Sequence, residues 1–202
     1  MTQRGNGTMA NAFDTILKFE QALGTLTGAP YVVMTDCCTH ALELCLRYVK
    51  PNKVWIPAQT YISVPMTLHK LDIAYDYQDT EWIGEYQILN TRIWDSARLL
   101  QVGMYRPGMM QCLSFGHDKP LSIGHGGAIL LDDEFAYKKL IRQRYDGRDL
   151  SVSPWQDQQV FEVGYHYRPT IEDAARGLEL LPTVDPEPKY KEYPDLREII
   201  IK

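Results

Sequence analysis

Apolar and polar residues follow a regular order along the first part of this chain. Apolar side chains recur at helical spacing between positions 12 and 26, which predicts a helix that ends at Gly28 and Pro30. Three short apolar runs follow, separated by two helical patterns: residues 31–34, 53–56 and 73–77. Strands that alternate with helices in this way predict a three-layer α/β protein, with a mostly parallel sheet and helices on both faces.

The rest of the chain is less regular. One or two strands are predicted within residues 86–94, further strands at residues 111–115 and 128–131, and further helices at residues 133–145 and 171–181. After Pro182, prolines interspersed with charges indicate an extended arm with a helical turn near its end. We therefore expect one domain over residues 1–181 and a C-terminal tail over residues 182–202.

Composition and charge narrow the class of protein. The 202 residues are 45% hydrophobic and 23% charged, which allows one sizeable core, and the net charge of −5 gives no sign of a nucleic-acid surface. No apolar segment is long enough to span a bilayer, and the polar first 13 residues lack the apolar stretch of a signal peptide. We therefore expect a cytoplasmic protein without nucleic-acid or membrane partners.

The cysteines and histidines do not form a metal-binding pattern. The four cysteines contain no C-x-x-C pair, so we expect reduced thiols, neither a zinc site nor a disulfide scaffold. His117 and His125 lie eight positions apart in a glycine-containing loop without a third ligand, and we expect no metal there. A run of three arginines fits either a solvated helix end or an anion site: Arg142, Arg144 and Arg148.

One lysine has an unusual place in the predicted fold. In the stretch SFGHDKPLSIGHGGAILLDD, residues 114–133, Lys119 is followed by Pro120, which ends strand pairing, and then by glycines that allow unusual backbone conformations. The apolar run at residues 128–131 predicts a buried strand. Lys119 should therefore lie in a shaped loop between two strands, although a lone loop lysine is usually a solvated charge.

Three candidate residues stand at the C-terminal ends of predicted strands, where open α/β sheets bind ligands. Thr39 opens a helix whose backbone N–H groups can hold a phosphate, but it can equally be an N-cap. Asp95 follows a strand and can be a turn residue, and Lys119 completes the set. Together they match what pyridoxal phosphate requires: donors for its phosphate, a carboxylate for its ring nitrogen and an amine that binds it covalently.

Six motifs, in family order, carry a resemblance to a known family. They are Phe19-Glu20, CCTHALELCL (37–46), VWIPAQTYIS (54–63), IWDSAR (93–98), SFGHDKPLSIGHGG (114–127) and YHYRPTIEDAARGLELL (165–181). They resemble the FE, SGTAALHLAL, VIVPAFTFVA, VIEDAAQ, SFHPTKNLTTGEGG and YNYRMTELQAAIGLEQL motifs of the DegT family. Its members are pyridoxal-phosphate sugar aminotransferases with the aspartate-aminotransferase fold, and the resemblance covers about residues 19–181.

The resemblance implies a role for each matching residue. Lys119 aligns with the family's Schiff-base lysine, and Asp95 aligns with the partner of the pyridine nitrogen. Cys38 and Thr39 align with the Gly-Thr pair whose amides hold the cofactor phosphate. Ser114 aligns with a serine that also binds this phosphate.

Three further positions extend the comparison. Tyr61 aligns with the aromatic ring that stacks on the cofactor. Arg98 replaces a Gln or His near the phenolic oxygen of the cofactor, which implies a more cationic pocket. His166 stands where the family has an Asn that reaches the phosphate of the neighbouring subunit, which implies a homodimer with active sites at its interface.

This chain also departs from the family pattern. The family's Ser-Gly is Cys37-Cys38 here, and the Glu of its GEGG motif is His125. Only residues 78–87 fill the family's long stretch before the Asp strand, and we expect the family's C-terminal domain to be absent after Leu181. These departures are expected to affect substrate binding and specificity most.

The leading hypothesis is an enzyme, a PLP-dependent aminotransferase. It would move an amino group from an amino acid, glutamate in the first place, to a keto sugar, a nucleotide sugar or a similar carbonyl compound. Two alternatives stay open at this point. One is a PLP-binding relative with a different PLP reaction such as dehydration, and the other is a non-catalytic partner subunit of a full-length enzyme.

Overall fold

The computed structural model describes residues 10–201, so residues 1–9, where we expected no signal peptide, lie outside the described residues, as does Lys202. Its helices are α1 (Ala10–Thr27), α2 (Cys38–Val49), α3 (Ser63–Lys70), α4 (Glu134–Gln143) and α5 (Ile171–Leu180). Its strands are β1 (Tyr31–Thr35), β2 (Lys53–Pro57), β3 (Ala74–Gln78), β4 (Tyr86–Ile88), β5 (Ile93–Asp95), β6 (Met110–Ser114) and β7 (Gly127–Leu131). Within residues 10–201, no helix combines the length and apolar character needed to cross a bilayer.

The described strands form two hydrogen-bonded groups that meet at one bridge. Five strands pair in the order β1-β7-β6-β5-β4, and β2 pairs with β3. The β5–β6 and β2–β3 pairs are parallel, whereas the other three pairs are antiparallel. Trp55 of β2 and Leu89, which follows β4, exchange antiparallel backbone hydrogen bonds. This bridge places β2 and β3 beyond β4.

The α/β class is confirmed, but the strand pairing is not mostly parallel as we expected. The five strands β1, β2, β3, β5 and β6 do run in one direction, as the strand-helix alternation predicted. The reversed strands β4 and β7 each lie between two of these and make the neighbouring pairs antiparallel. β4 enters reversed because residues 79–85 are fewer than the dozen or so that a crossover between parallel strands needs.

Helices cover both faces of the sheet and complete the predicted three layers. On one face, α2, α3 and α4 bury apolar side chains such as Leu44 and Leu68 against the strands. On the other face, α1 and α5 pack through Phe19 and Ala174. An added Cβ at Gly177 of α5 would come within 2.5 Å of the Phe19 ring, so this helix crossing depends on a glycine.

The tail after α5 crosses the C-terminal edge of the sheet. Residues 188–196, called the strap below, are anchored at both ends. At one end, the Lys189 N–H donates to the Arg98 carbonyl at 2.8 Å, and Arg98 Nε donates to the Lys189 carbonyl at 2.7 Å. At the other end, the buried Leu196 donates its N–H to the Ala58 carbonyl at 2.9 Å. The predicted extended arm is thus docked on the sheet, and its helical turn forms at Leu196–Glu198.

Candidate active site

A cavity of about 340 Å³ lies at the C-terminal edge of the sheet, beside the strap. Its walls come from the start of α2, the loop after β2, the ends of β5 and β6, and the strap. Because β1, β2, β5 and β6 run in one direction, their C-terminal ends meet at this edge. Seven of the eight site residues predicted from the sequence line this one cavity: Cys38, Thr39, Tyr61, Asp95, Arg98, Ser114 and Lys119.

The N-terminus of α2 forms one wall of the cavity. The N-cap residue Cys37 has an extended backbone, and in the described structure its side chain caps no N–H of the first turn. Those N–H groups and the positive end of the helix dipole therefore favour an anion. Thr39 Oγ1 donates to Ser63 Oγ at 2.9 Å, so two hydroxyls lie together beside the helix start. A Cβ at Gly127 would come within 2.5 Å of the Cys37–Cys38 peptide, so β7 approaches this wall only with glycine.

Asp95 ends β5 with its carboxylate buried in the cavity wall. Its Oδ2 accepts a 2.9 Å hydrogen bond from the hydroxyl of Tyr86, its register partner on β4, and its Oδ1 accepts one from the Ala97 N–H at 3.0 Å. Thr60 in turn shares a 2.8 Å hydrogen bond with the Tyr86 hydroxyl. Burial raises the pKa of Asp95 above its ordinary value, and the bonds from Ala97 and Tyr86 and the charge of Lys119 oppose that rise.

Lys119 lies between β6 and β7, in the loop that the sequence predicted. Its N–H donates to the Gly116 carbonyl at 3.2 Å, which closes the turn. The side chain is only 14% exposed, and its Nζ lies 4.0 Å from Oδ1 of Asp118. Burial and the nearby charge of Arg98 lower the pKa of the Lys119 amine. A lowered pKa raises the fraction of free amine, which is the nucleophilic form.

Arg98 lines the cavity, but its charge is largely engaged within the protein. The buried guanidinium donates Nη1 to Asp118 Oδ2 at 3.1 Å and Nη2 to the Asp118 carbonyl at 3.3 Å, while Nε is held by the strap. Asp118 also accepts from Lys191 Nζ at 3.0 Å. Against the effect of burial, these two cations lower the pKa of Asp118 to about 2. The more cationic pocket that we expected from Arg98 is therefore moderated by a carboxylate that the sequence did not single out.

Three aromatic side chains form the outer rim of the cavity. Tyr61 is 56% exposed, and its ring lies 6.5 Å from that of Tyr193 in an edge-to-face arrangement. Tyr193 stacks on Trp82 at 5.9 Å. Sequence reasoning found Tyr61 through the family motif but missed Trp82 and Tyr193. Both come from irregular segments with no motif, and only folding brings them to this edge.

His166 is the one predicted site residue that does not line the cavity of its own chain. Its side chain is 66% exposed, and Nδ1 lies 3.0 Å from Asp146 Oδ2. Its ring also lies 6.2 Å from the ring of Tyr145, so both of these contacts are within its own chain. An exposed side chain remains free to meet a second chain.

The three arginines of the run have separate environments, and Arg142 lies partly exposed in the last turn of α4, as expected for a solvated helix end. Arg144 is buried and paired with Glu20, whereas Arg142 pairs with Asp149 and Glu162. The Arg148 guanidinium lies 4.6 Å from the centre of the Tyr145 ring. Each guanidinium therefore has a partner in its own chain.

The four cysteines are free thiols, as expected for a reduced protein. A group of three possible metal ligands was not anticipated from the sequence: Asp36, Cys37 and His40, whose ligand atoms lie within 4.8 Å of one another. His40 Nδ1 already hydrogen-bonds Asp36 Oδ1 at 2.7 Å, and its ring stacks on Tyr167. These contacts give Asp36 and His40 a structural role at the start of α2.

Several solved structures share this fold. AtS13 from Actinomadura melliaura superposes with a TM-score of 0.73 at 21% identity, covering 84% of this chain and 60% of that one. The sugar aminotransferase CalS13 from Micromonospora echinospora gives 0.68 at 20% identity, covering 83% and 60%. NtdA from Bacillus subtilis, solved with bound cofactor PMP, gives 0.68 at 20% identity, covering 82% and 47%. At these identities the likeness establishes the fold, and this chain spans three fifths or less of each neighbour.

Sequence comparison identifies the family. No curated protein sequence matches the chain. The sequence pattern of the DegT/DnrJ/EryC1/StrS aminotransferase family matches residues 3–77 and 101–192. The unmatched residues between these two parts include Asp95 and Arg98, whose assignment rests on the cavity geometry and on the IWDSAR motif. Because the match spans well over half of the chain, this protein belongs to the DegT/DnrJ/EryC1/StrS aminotransferase family.

Proposed function

We propose that this protein binds pyridoxal phosphate in the cavity at the sheet edge and acts as an aminotransferase. The observation that carries the proposal is the convergence of Lys119, Asp95 and the uncapped start of α2 on one cavity. The three features lie on different strands and loops, and each suits a different part of the cofactor. Thr39, Ser63 and the α2 amides suit its phosphate, and the buried Asp95 carboxylate suits a protonated ring nitrogen.

The bound cofactor would supply a conjugated ring that takes up the electron pair released when a substrate carbon loses its proton. Lys119 would hold the cofactor through its amine and, once freed by substrate, would accept and return that proton. Its lowered pKa favours the free amine that both roles need. Asp95 would keep the ring nitrogen protonated, with Tyr86 and the Ala97 N–H holding its carboxylate in place.

The proposed substrates are an amino-acid donor, glutamate in the first place, and a keto sugar or a similar carbonyl acceptor. Support comes from the family to which the chain belongs and from the name of one structural neighbour, a sugar aminotransferase. The cavity has an aromatic rim, and aromatic rings pack well on the apolar faces of sugars and other cyclic compounds.

We further propose that the active unit is a cytoplasmic homodimer, in which His166 reaches the cofactor phosphate of the partner subunit. The exposed position of His166 supports this role, since 66% of the side chain is open to solvent even though it contacts Asp146 and Tyr145 of its own chain. Free thiols are usual in the reducing cytoplasm. Residues 1–181 would form the cofactor-binding domain, and residues 182–202 the tail that carries the strap.

A spectroscopic and a chemical measurement test the cofactor proposal. Pyridoxal phosphate added to the purified protein should produce a visible absorption band. Borohydride reduction and peptide mapping should then leave the pyridoxyl group on Lys119. The variant Lys119→Ala should lose both signals, and Lys53→Ala, which changes an exposed lysine on β2, should keep both. A label on another lysine would refute the assignment, and a colourless protein would refute cofactor binding.

Transfer of the amino group is tested separately. The loaded protein is mixed with each of the twenty standard L-amino acids, and loss of the visible band reports donation. Glutamate should react at a rate at least as high as the others. A protein that binds the cofactor but reacts with no amino acid would contradict an aminotransferase and favour a different PLP reaction.

A further inference from the structure

The strap adds a lysine to the active-site cavity that no motif predicts. Lys191 lies between the two anchored ends of the strap and lines the cavity together with Tyr193. Its side chain is 48% exposed, and its Nζ donates to Asp118 Oδ2 at 3.0 Å. An ammonium group has three N–H donors, so two remain for a ligand that enters the cavity.

Cationic side chains outnumber carboxylates in the cavity lining, which contains three cations and the two carboxylates of Asp95 and Asp118. Three cationic side chains, Arg98, Lys119 and Lys191, lie around the carboxylate of Asp118. In the proposed enzyme the Lys119 amine would bind the cofactor, which would leave Arg98 and Lys191 sharing Asp118. The charge of Lys191 is therefore only partly balanced by the described residues that line the cavity.

Lys191 is the cation best able to reach a ligand. The guanidinium of Arg98 is buried, and its Nε, Nη1 and Nη2 already donate to Lys189 and Asp118. Lys191 makes one ion pair and keeps a flexible stem. Its ammonium also lies 5.9 Å from the centre of the Tyr193 ring, which holds the charge at the rim without consuming a donor.

We propose that Lys191 binds the α-carboxylate of the amino-acid donor, an assignment that rests on the proposed aminotransferase function. A partly balanced ammonium group with two remaining N–H donors suits one carboxylate, the anion that every amino-acid donor carries. In the proposed enzyme the cofactor phosphate would have its own site at the start of α2, near Thr39 and Ser114, which also line the cavity. A diphosphate of a nucleotide-linked acceptor carries at least two negative charges and fits this charge count less well.

The test compares donor binding in matched variants of the cofactor-loaded protein. The probe is the standard amino acid that converts the wild type fastest, and the concentration dependence of the loss of the visible band gives its affinity. Lys191→Met keeps an unbranched stem without the charge and should weaken donor affinity about tenfold, while cofactor affinity stays the same. Lys191→Arg should restore most of the affinity. Lys53→Met is the control, because Lys53 is 47% exposed and pairs with the one carboxylate of Asp76, away from the cavity.

A second comparison separates a carboxylate effect from a loosened strap. The wild type should favour the amino acid over the amine that lacks its α-carboxylate, and this preference should fall about tenfold in Lys191→Met. A variant that merely loosens the strap would weaken both ligands equally. Equal donor affinity in wild type and Lys191→Met, or an unchanged preference, would overturn the assignment while leaving the aminotransferase proposal intact.

If inorganic pyrophosphate protects the wild type from the donor more strongly than acetate does, and Lys191→Met abolishes this protection, the site is a phosphate site and the proposal is wrong. Absence of donation by any amino acid in the wild type would refute the underlying function and this assignment with it.

Discussion

Asp95 is a site residue whose buried, ionised carboxylate lowers the free energy of unfolding. A strand end is an ordinary place for an aspartate, but this one is buried, and burial favours its neutral form. The Tyr86 hydroxyl and the Ala97 N–H each donate to the carboxylate, and these bonds recover part of that loss. The charged carboxylate of Asp95 therefore lowers the stability of the fold, although it places a negative charge in the cavity wall.

The apo protein should become more stable when Asp95 is replaced by asparagine. The folded pKa of Asp95 is raised, so its neutral form stabilises the fold below the unfolded pKa of about 3.9, and this contribution is lost as pH rises through the folded pKa. At neutral pH the ionised carboxylate is destabilising, and Asp95→Asn should gain about 1 kcal/mol, the usual scale of such changes. Thermal unfolding over a pH series measures this. The gain should shrink as the pH falls through the raised folded pKa and be absent below about pH 3.9, and a gain that is independent of pH would contradict the ionisation argument.

Removing one hydroxyl should shift the ionisation of Asp95. The bond from Tyr86 favours the carboxylate, so Tyr86→Phe should raise the pKa of Asp95 further. Carbon-13 NMR of aspartate-labelled apo protein follows this titration directly. Tyr105→Phe serves as control, because the Tyr105 hydroxyl donates to the Met109 carbonyl and does not contact Asp95. An unchanged Asp95 titration in Tyr86→Phe would show that the hydroxyl does not control this carboxylate.

One buried ion pair joins α1, the edge strand β1 and the segment after α4. Glu20 of α1 accepts from the Met34 N–H of β1 at 2.7 Å and from Arg144, which follows α4. Arg144 also donates to the Met34 carbonyl at 2.6 Å, so the N–H and the carbonyl of one strand residue are both bound by this pair. All three residues are buried. The Phe19-Glu20 pair of the sequence motif thus has a structural explanation, in which Phe19 packs in the core and Glu20 fixes β1.

Breaking this ion pair from one side should be costly. Arg144→Met leaves the Glu20 carboxylate buried without its cation, and we expect a loss of about 3–5 kcal/mol in the free energy of unfolding. Urea unfolding measures the loss. The double variant Glu20→Gln and Arg144→Met should be more stable than Arg144→Met alone, since no charge is left unpaired. Equal stability of the single and double variants would show that the charge of Glu20 is not the cause.

The surface of the molecule has exposed apolar side chains in the segment that leads to His166, the proposed intersubunit residue. Between α4 and α5, four large apolar side chains are at least 43% exposed: Trp155, Val160, Phe161 and Val163. They precede His166 in the chain, on the same connection between helices. Exposed apolar groups of this kind are typical of surfaces that contact another chain.

We expect a dimer, or a multiple of it, at micromolar protein concentration. Sedimentation velocity measures the assembly, and titration of the visible band with pyridoxal phosphate measures cofactor affinity. His166→Ala should weaken cofactor binding about tenfold without dissociating the dimer, because a charge-assisted hydrogen bond to phosphate is lost. His69→Ala is the control, since this exposed histidine on α3 pairs with Tyr75 of its own chain. A monomer that keeps the visible band would refute the dimeric site.

The sequence by itself determined the elements and most of the inner site. The order of helices and strands, the loop that holds Lys119 and the convergence of seven predicted residues all follow from local patterns and from a family motif. Local patterns predict these features because helices, turns and strand ends are determined by residues only a few positions apart in the chain.

Only the tertiary structure decided the strand directions, the hydrogen-bond partners of the site residues and the position of the strap beside the cavity. β4 is reversed because of a short connection, which no strand pattern reveals. The partner of Asp95 is Tyr86, the counter-ion of Arg98 is Asp118, and the strap brings Lys191 to the cavity from more than 70 residues away in the chain. Contacts of this kind depend on where segments that are distant in the chain pack against each other. A local sequence pattern contains no information about which distant segments will meet.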